Sequence, residues 1–175
     1  STDRGANWTD VSAGFCSGHT YALVISPNYV HDRTIFVATA HGSCGAGVLF
    51  KSVDGGASWS PVGGKAGWFI LRDLAISPNY AVDQTLFTGD EWSGVLRSTD
   101  GGINWVQTLG GCSYWAVAIS PAYAADQTVF VGTGADGIHK SVDRGSTWAE
   151  ISGVLTERGN YWAGLSIGDG AQWNT

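Results

Sequence analysis

One eight-residue pattern, Ser-x-Asp-x-Gly-x-x-Trp, recurs four times and limits what this chain can fold into more than any other feature. It stands at Ser1, Asp3, Gly5 and Trp8; at Ser52, Asp54, Gly56 and Trp59; at Ser98, Asp100, Gly102 and Trp105; and at Ser141, Asp143, Gly145 and Trp148. Successive serines lie 51, 46 and 43 residues apart. A second pattern, Ile-Ser-Pro-x-Tyr-x-x-Asp-x-Thr-x-Phe, alternates with the first, running from Ser26 to Phe36, Ser77 to Phe87 and Ser120 to Phe130. A degenerate fourth start is the GLSI segment at 164–167. Strict alternation at this period marks a repeat protein in which each repeat is one supersecondary unit.

The physics of one repeat follows from its residues. Runs such as LAIS and AVAIS carry Ala, Val and Ile, which suit a pleated, buried strand. Ser-Pro stops that strand, because proline has no N–H for the ladder. TLFTG or TVFVG reads as a second strand, and GVLRS or GIHKS as a third. Asp-Gly-Gly or Asp-Arg-Gly then turns the chain, with glycine supplying φ > 0 and aspartate bonding nearby amides. The tryptophan opens a fourth strand and packs over the turn. Four short antiparallel strands in roughly 45 residues form one blade of a β-propeller.

The eight-residue motif resembles the Asp-box, or bacterial neuraminidase repeat, of sialidases, xyloglucanases, sortilin-type receptors and photosystem II assembly factors. The resemblance spans nearly the whole chain. It implies an all-β propeller arc in which each box joins the third and fourth strands of a blade, away from the ligand face. It implies no single activity, because enzymes and non-enzymes share the box.

The expected organisation is one domain over 1–175, with complete blades at about 20–59, 70–106 and 114–150 and partial blades at 1–19 and 151–175. The expected core is Leu23, Ile25, Ile35, Phe36, Leu74, Ile76, Leu86, Phe87, Val117, Ile119, Val129 and Phe130, with almost no helix. Propellers close with roughly four to eight blades, and 175 residues hold fewer than four such repeats. The edges of an open arc are a liability, so self-association or continuation into a longer chain is expected. Met is absent, which also reads as a processed protein or part of a longer one.

Composition narrows the function. A formal charge of −6 argues against nucleic acid, whose phosphates call for a basic face. No apolar run reaches the ~20 residues of a membrane helix. Charged residues are 14% of the chain and lysine occurs three times, which points to an exported or cell-surface protein. No cofactor is expected.

Two constellations could carry chemistry. Links into each first strand, and links from second to third strands, share one face of the arc. That upper face receives Trp68, Arg72, Asp90, Glu91, Trp92, Tyr114, Trp115, Asp136, Tyr161 and Trp162. Aromatic rings beside carboxylates and an arginine grip sugars, so this is the expected binding surface for a glycan or protein. The alternative is that the rings wedge between blades as interior filler. The second constellation is Cys16-x-x-His19 with His41-x-x-Cys44. A hairpin centred near Val30 would set Cys16 opposite Cys44 and His19 opposite His41. A Cys16–Cys44 disulfide is expected, with a Cys2His2 zinc site or two free thiols as the alternatives, and Cys112 is left over.

Catalysis has thin support. The arginine triad and Phe-Arg-Ile-Pro segment of sialidases are not matched, since Arg4, Arg97 and Arg144 lie in or beside boxes. Glycoside hydrolysis needs two carboxylates across a cleft, for which Asp90 or Glu91 with Asp136 are the candidates. A non-catalytic binding or scaffolding propeller is therefore expected, with a glycan-active hydrolase or a self-assembling structural subunit as the alternatives.

Overall fold

The computed structural model describes residues 1, 3–14, 19–40, 47–63, 70–111, 113–134 and 137–151. They form three four-stranded antiparallel sheets, each a meander in chain order. Blade 1 holds β1 (His19–Ile25), α1 (Tyr29–Asp32), β2 (Ile35–Ala40), β3 (Val48–Ser52) and β4 (Ser60–Val62). Blade 2 holds β5 (Leu71–Ile76), α2 (Tyr80–Asp83), β6 (Leu86–Asp90), β7 (Gly94–Ser98) and β8 (Val106–Leu109). Blade 3 holds β9 (Tyr114–Ile119), α3 (Tyr123–Asp126), β10 (Val129–Thr133), β11 (Ile138–Ser141) and β12 (Ala149–Glu150). This is the expected arc of a partial β-propeller.

Each loop after Ser-Pro winds into one helical turn, where sequence reasoning expects almost no helix. The reason is local. The Ser26 hydroxyl donates to Asp32 (2.6 Å), whose other oxygen accepts the Thr34 N–H (2.9 Å). Ser77, Asp83 and Thr85 repeat the arrangement, as do Ser120, Asp126 and Thr128. The residue after each aspartate, Arg33, Gln84 or Gln127, is left-handed, with φ of 48°, 50° and 55°. Its carbonyl accepts the N–H of Gly55, Gly101 or Arg144, all at 3.0 Å. Those three residues belong to the boxes, so boxes and helical loops share the lower face, as the strand order requires.

The boxes are hydrogen-bonded turns. The Ser98 hydroxyl donates to Asp100 (2.8 Å) and accepts the buried N–H of Gly102 (2.9 Å). Asp100 accepts the backbone and side-chain N–H of Asn104 (2.9 and 2.7 Å). Gly102 has φ of 90°, and a Cβ there would lie 3.3–3.5 Å from Leu49, Leu86 and Phe36. Its bareness seats the box of blade 2 on blade 1. The indoles of Trp105 and Trp148 close the turn by donating to Gly102 and Gly145 carbonyls (3.0 and 3.1 Å).

The core lies between blades. Phe36, Ala38 and Leu49 of blade 1 pack against Leu71, Leu74, Tyr80 and Leu86 of blade 2. Phe87 and Val95 of blade 2 pack against Tyr114, Val117, Tyr123, Val129 and Val131 of blade 3. Strand alternation sends Leu86 backward and Phe87 forward, so every blade buries one face against each neighbour. Two expected core residues are therefore corrected. Leu23 and Ile25 are 56% and 49% exposed, whereas Leu74 and Val117, both at the repeat position of Leu23, are each 4% exposed. Leu23 and Ile25 face backward, and no blade among the described residues precedes blade 1.

Two outcomes test the box. Ser98→Ala leaves the buried Gly102 N–H without its acceptor and should lower unfolding free energy by about 1–3 kcal/mol in denaturant titration. Hydrogen bonds from Asn7, Ser58 and Thr147 hold the carboxyls of Asp3, Asp54 and Asp143 at about 2, below the ordinary 3.8. A carboxyl depressed by folding contributes stability that is complete above its unfolded value and lost below it. The melting temperature should therefore fall between about pH 4 and pH 2, by less when Asp54 and Asp143 are both replaced by Asn.

Candidate functional site

The first strand of every blade carries a β-bulge at the same repeat position. In blade 1 the register steps from Thr20↔Thr39 to Ala22↔Ala38, leaving Tyr21 out of the ladder. Blade 2 skips Arg72 between Leu71↔Asp90 and Asp73↔Gly89, and blade 3 skips Trp115 between Tyr114↔Thr133 and Ala116↔Gly132. A bulge re-aims the side chain that it frees from the ladder. Here the three freed side chains meet. The Arg72 guanidinium lies 5.0 Å from the Tyr21 ring centroid and 4.9 Å from that of Trp115. A cation between two aromatic rings is attracted to both, and this one spans three blades.

Glu91 closes the group by an ion pair with Arg72 at 2.5 Å, both side chains roughly one-fifth exposed. Its own backbone is held, its N–H donating to the Ile70 carbonyl (3.2 Å) and its carbonyl accepting from Ser113 (2.8 Å). Ser113 in turn accepts from Gly134 (2.8 Å), so the upper-face links of blades 2 and 3 form one hydrogen-bonded relay. Beside Glu91, Trp92 projects from the β6–β7 turn and is 67% exposed. Asp90 fixes that turn, one carboxylate oxygen accepting the N–H groups of Trp92 (3.0 Å) and Ser93 (2.5 Å).

Asp73, next to Arg72, is the second link between blades 2 and 3. Its carboxylate accepts the N–H groups of Leu74 and, across the blade boundary, Val117 (both 2.8 Å). Burial pushes its pKa up, against the pull of those two hydrogen bonds. Sequence reasoning missed both Asp73 and Tyr21. Aligning the three first strands on Ile25, Ile76 and Ile119 puts Tyr21, Arg72 and Trp115 in one column and Asp73 between two alanines, which was the available signal.

The other expected site residues divide. Arg72, Glu91 and Trp115 come together, and Trp92 stands exposed beside them. Tyr114 and Asp90 are buried, at 3% and 0%. Tyr114 packs in the core between blades 2 and 3 and donates its hydroxyl to Gly110, while Asp90 caps its own turn. Trp68, Asp136, Tyr161 and Trp162 lie outside the described residues, as do Cys16, His41, Cys44 and Cys112. The expected facing of His19 and His41 is corrected. The Tyr21 bulge shifts the register by one, and His19 pairs with Ala40. Among the described residues no three His, Cys, Asp or Glu side chains gather as metal ligands.

With fold and site in place, the class is clear: three blades of a β-propeller, each with a Ser-Asp-Gly-Trp box between its third and fourth strands. No family model matches the chain, and no curated protein does. Solved structures share the fold. A GH74 enzyme from Niastella koreensis is similar over 75% of this chain and 22% of its own, at 24% identity and a TM-score of 0.59. YCF48 from Cyanidioschyzon merolae matches 77% of this chain and 37% of its own, at 18% identity and 0.55. An auxiliary nutrient binding protein from Bacteroides ovatus matches 77% and 30%, at 10% identity and 0.58. The chain thus spans well under half the length of these proteins.

Asp73→Ala would strip the buried Val117 N–H of its acceptor across the blade boundary. Unfolding free energy should fall by about 1–3 kcal/mol, with hydrogen exchange at Val117 rising more than at residues of β2.

Proposed function

We propose that this chain is a non-catalytic recognition module of an exported or cell-surface protein, whose upper face binds a glycan. The observation that carries this is Trp92: a large indole standing in solvent on a turn that Asp90 holds rigid, next to the Arg72–Glu91 pair. An exposed, pre-positioned aromatic platform costs little ordering on binding. Its face suits the C–H face of a sugar ring, while the part of the Glu91–Arg72 pair that reaches solvent, about one-fifth of each side chain, suits hydroxyls. The bulged stack beneath gives the platform a stiff support, as binding sites on rigid elements require. The GH74 enzyme and the nutrient binding protein show that this fold serves glycoside hydrolysis and ligand capture in other chains.

The carboxylates favour binding over hydrolysis. Hydrolysis of a glycosidic bond uses two carboxyl groups facing each other across the bond. Here Asp90 turns into its own loop and Glu91 is paired to Arg72, so each already has a structural partner, while Asp136, the other carboxylate of the expected pair, lies outside the described residues. Partners of a protein kind would use the same exposed face.

Glycan-array binding followed by calorimetry tests the proposal. A hit should weaken at least about tenfold in Trp92→Ala, since aromatic anchors dominate such surfaces, with the melting temperature unchanged. Release of reducing sugar from xyloglucan or sialosides by the 175-residue chain would overturn the non-catalytic assignment. A blank array, or a hit indifferent to Trp92, would remove the glycan.

A further inference from the structure

Charge at the upper face is arranged around one cation. Arg72 is the one arginine or lysine among the described residues of that face. The Tyr21 and Trp115 rings pack on its guanidinium, their centroids 5.0 and 4.9 Å away. Its Nε is buried and makes no hydrogen bond, while its Nη2 donates to Glu91 Oε2 at 2.5 Å. Three neighbours therefore fix the guanidinium, and of these Glu91 alone opposes its charge.

A partly exposed arginine beside an aromatic platform is ordinarily an anion site, because a guanidinium matches carboxylate and sulfate groups in shape and charge. Here the chain fills that role itself. Glu91 is held by its backbone as well as its side chain, its N–H donating to Ile70 and its carbonyl accepting from Ser113. It stands directly before Trp92, so carboxylate and indole leave the same β6–β7 turn. Asp90 places a second, buried carboxylate under that turn. The chain as a whole carries a formal charge of −6, which sets a repulsive background for any anion that approaches. An acidic ligand at Trp92 would meet a neutralised arginine and would have to displace Glu91 to reach it. An uncharged ligand meets neither obstacle.

We propose that Glu91 is the specificity-determining residue of the glycan-binding face put forward above, on which this reading rests. By neutralising Arg72 it admits uncharged sugars to the Trp92 platform and rejects sugars that bear a carboxylate or a sulfate. The two rings still hold Arg72 when Glu91 loses its charge. Removing that one charge therefore turns the same face into an acceptor of acidic sugars.

Matched pairs of glycans test this: galactosides with and without a sulfate, and β-glucans with and without C6 oxidised to a carboxylate. The parent chain should bind the uncharged member of a pair more tightly. Glu91→Gln, whose side-chain oxygen can still accept from Arg72, should raise the affinity ratio of acidic to neutral member at least about tenfold, the scale of one unit charge at short range. The ratio is the readout, because a damaged fold lowers both members together. In the parent, added salt should narrow the gap within a pair, since screening weakens the repulsion, and this measurement needs no variant. A parent that prefers the acidic member, a ratio unmoved by Glu91→Gln, or a gap indifferent to salt would each overturn the role of Glu91. In those cases binding that still depends on Trp92 leaves the recognition face standing, whereas a blank array removes both.

Discussion

A four-stranded sheet exposes two faces, and in this molecule neither is buried by anything within its own blade. The burial comes from the neighbour, and the box turn makes the neighbour fit. Its serine hydroxyl satisfies a buried glycine N–H, which lets a left-handed, side-chain-free residue lie directly on the preceding blade's phenylalanine. An unsatisfied N–H there would cost the desolvation of a polar group, and a Cβ would hold the blades apart. The helical loops complete the seat, with Tyr80 meeting Phe36 and Tyr123 meeting Phe87 edge to face. Hydrophobic burial between blades therefore depends on a polar turn at the lower face.

At the opposite face the same strands do something different. The bulge in each first strand costs one ladder pairing and turns a side chain out of the sheet. Three such side chains converge on Arg72, which touches one aromatic ring from each neighbouring blade. Nearest-neighbour packing alone would leave blades 1 and 3 without a shared residue. Arg72 supplies one, and the ion pair with Glu91 holds it there. The links between blades at the upper face, and the recognition role proposed for it, thus rest on the same group.

Strand order and the assignment of boxes and Ser-Pro loops to one face were legible because these two motifs punctuate the chain in alternation. Period-two alternation named most of the interior, Phe36, Phe87, Leu74 and Val129 among them. It misjudged Leu23 and Ile25, since alternation says which way a residue points and not whether a blade lies there. The helical turns were missed because Ser-Pro reads as a strand stop, whereas the serine–aspartate hydrogen bond six residues apart is a contact in space. The bulges escaped for a similar reason. Tyr21, Arg72 and Trp115 have different chemistry, and only the register reveals their common role. That same one-residue shift sets His19 opposite Ala40.

Interchangeability of the blades has one exception, and it bears on how such a chain can evolve. Each repeat carries half of two cores, so a duplicated unit arrives with both flanks already matched, and growth by whole repeats demands no new fit. Blade 2 is different. Where its neighbours have Tyr21-Ala22 and Trp115-Ala116, it has Arg72-Asp73, one residue gripping both sides and the other pinning the strand ahead. A copy of blade 1 or blade 3 set in its place would pack, yet would bring a third aromatic ring to the position where the cation now lies. At this one blade the array has traded modularity for individuality.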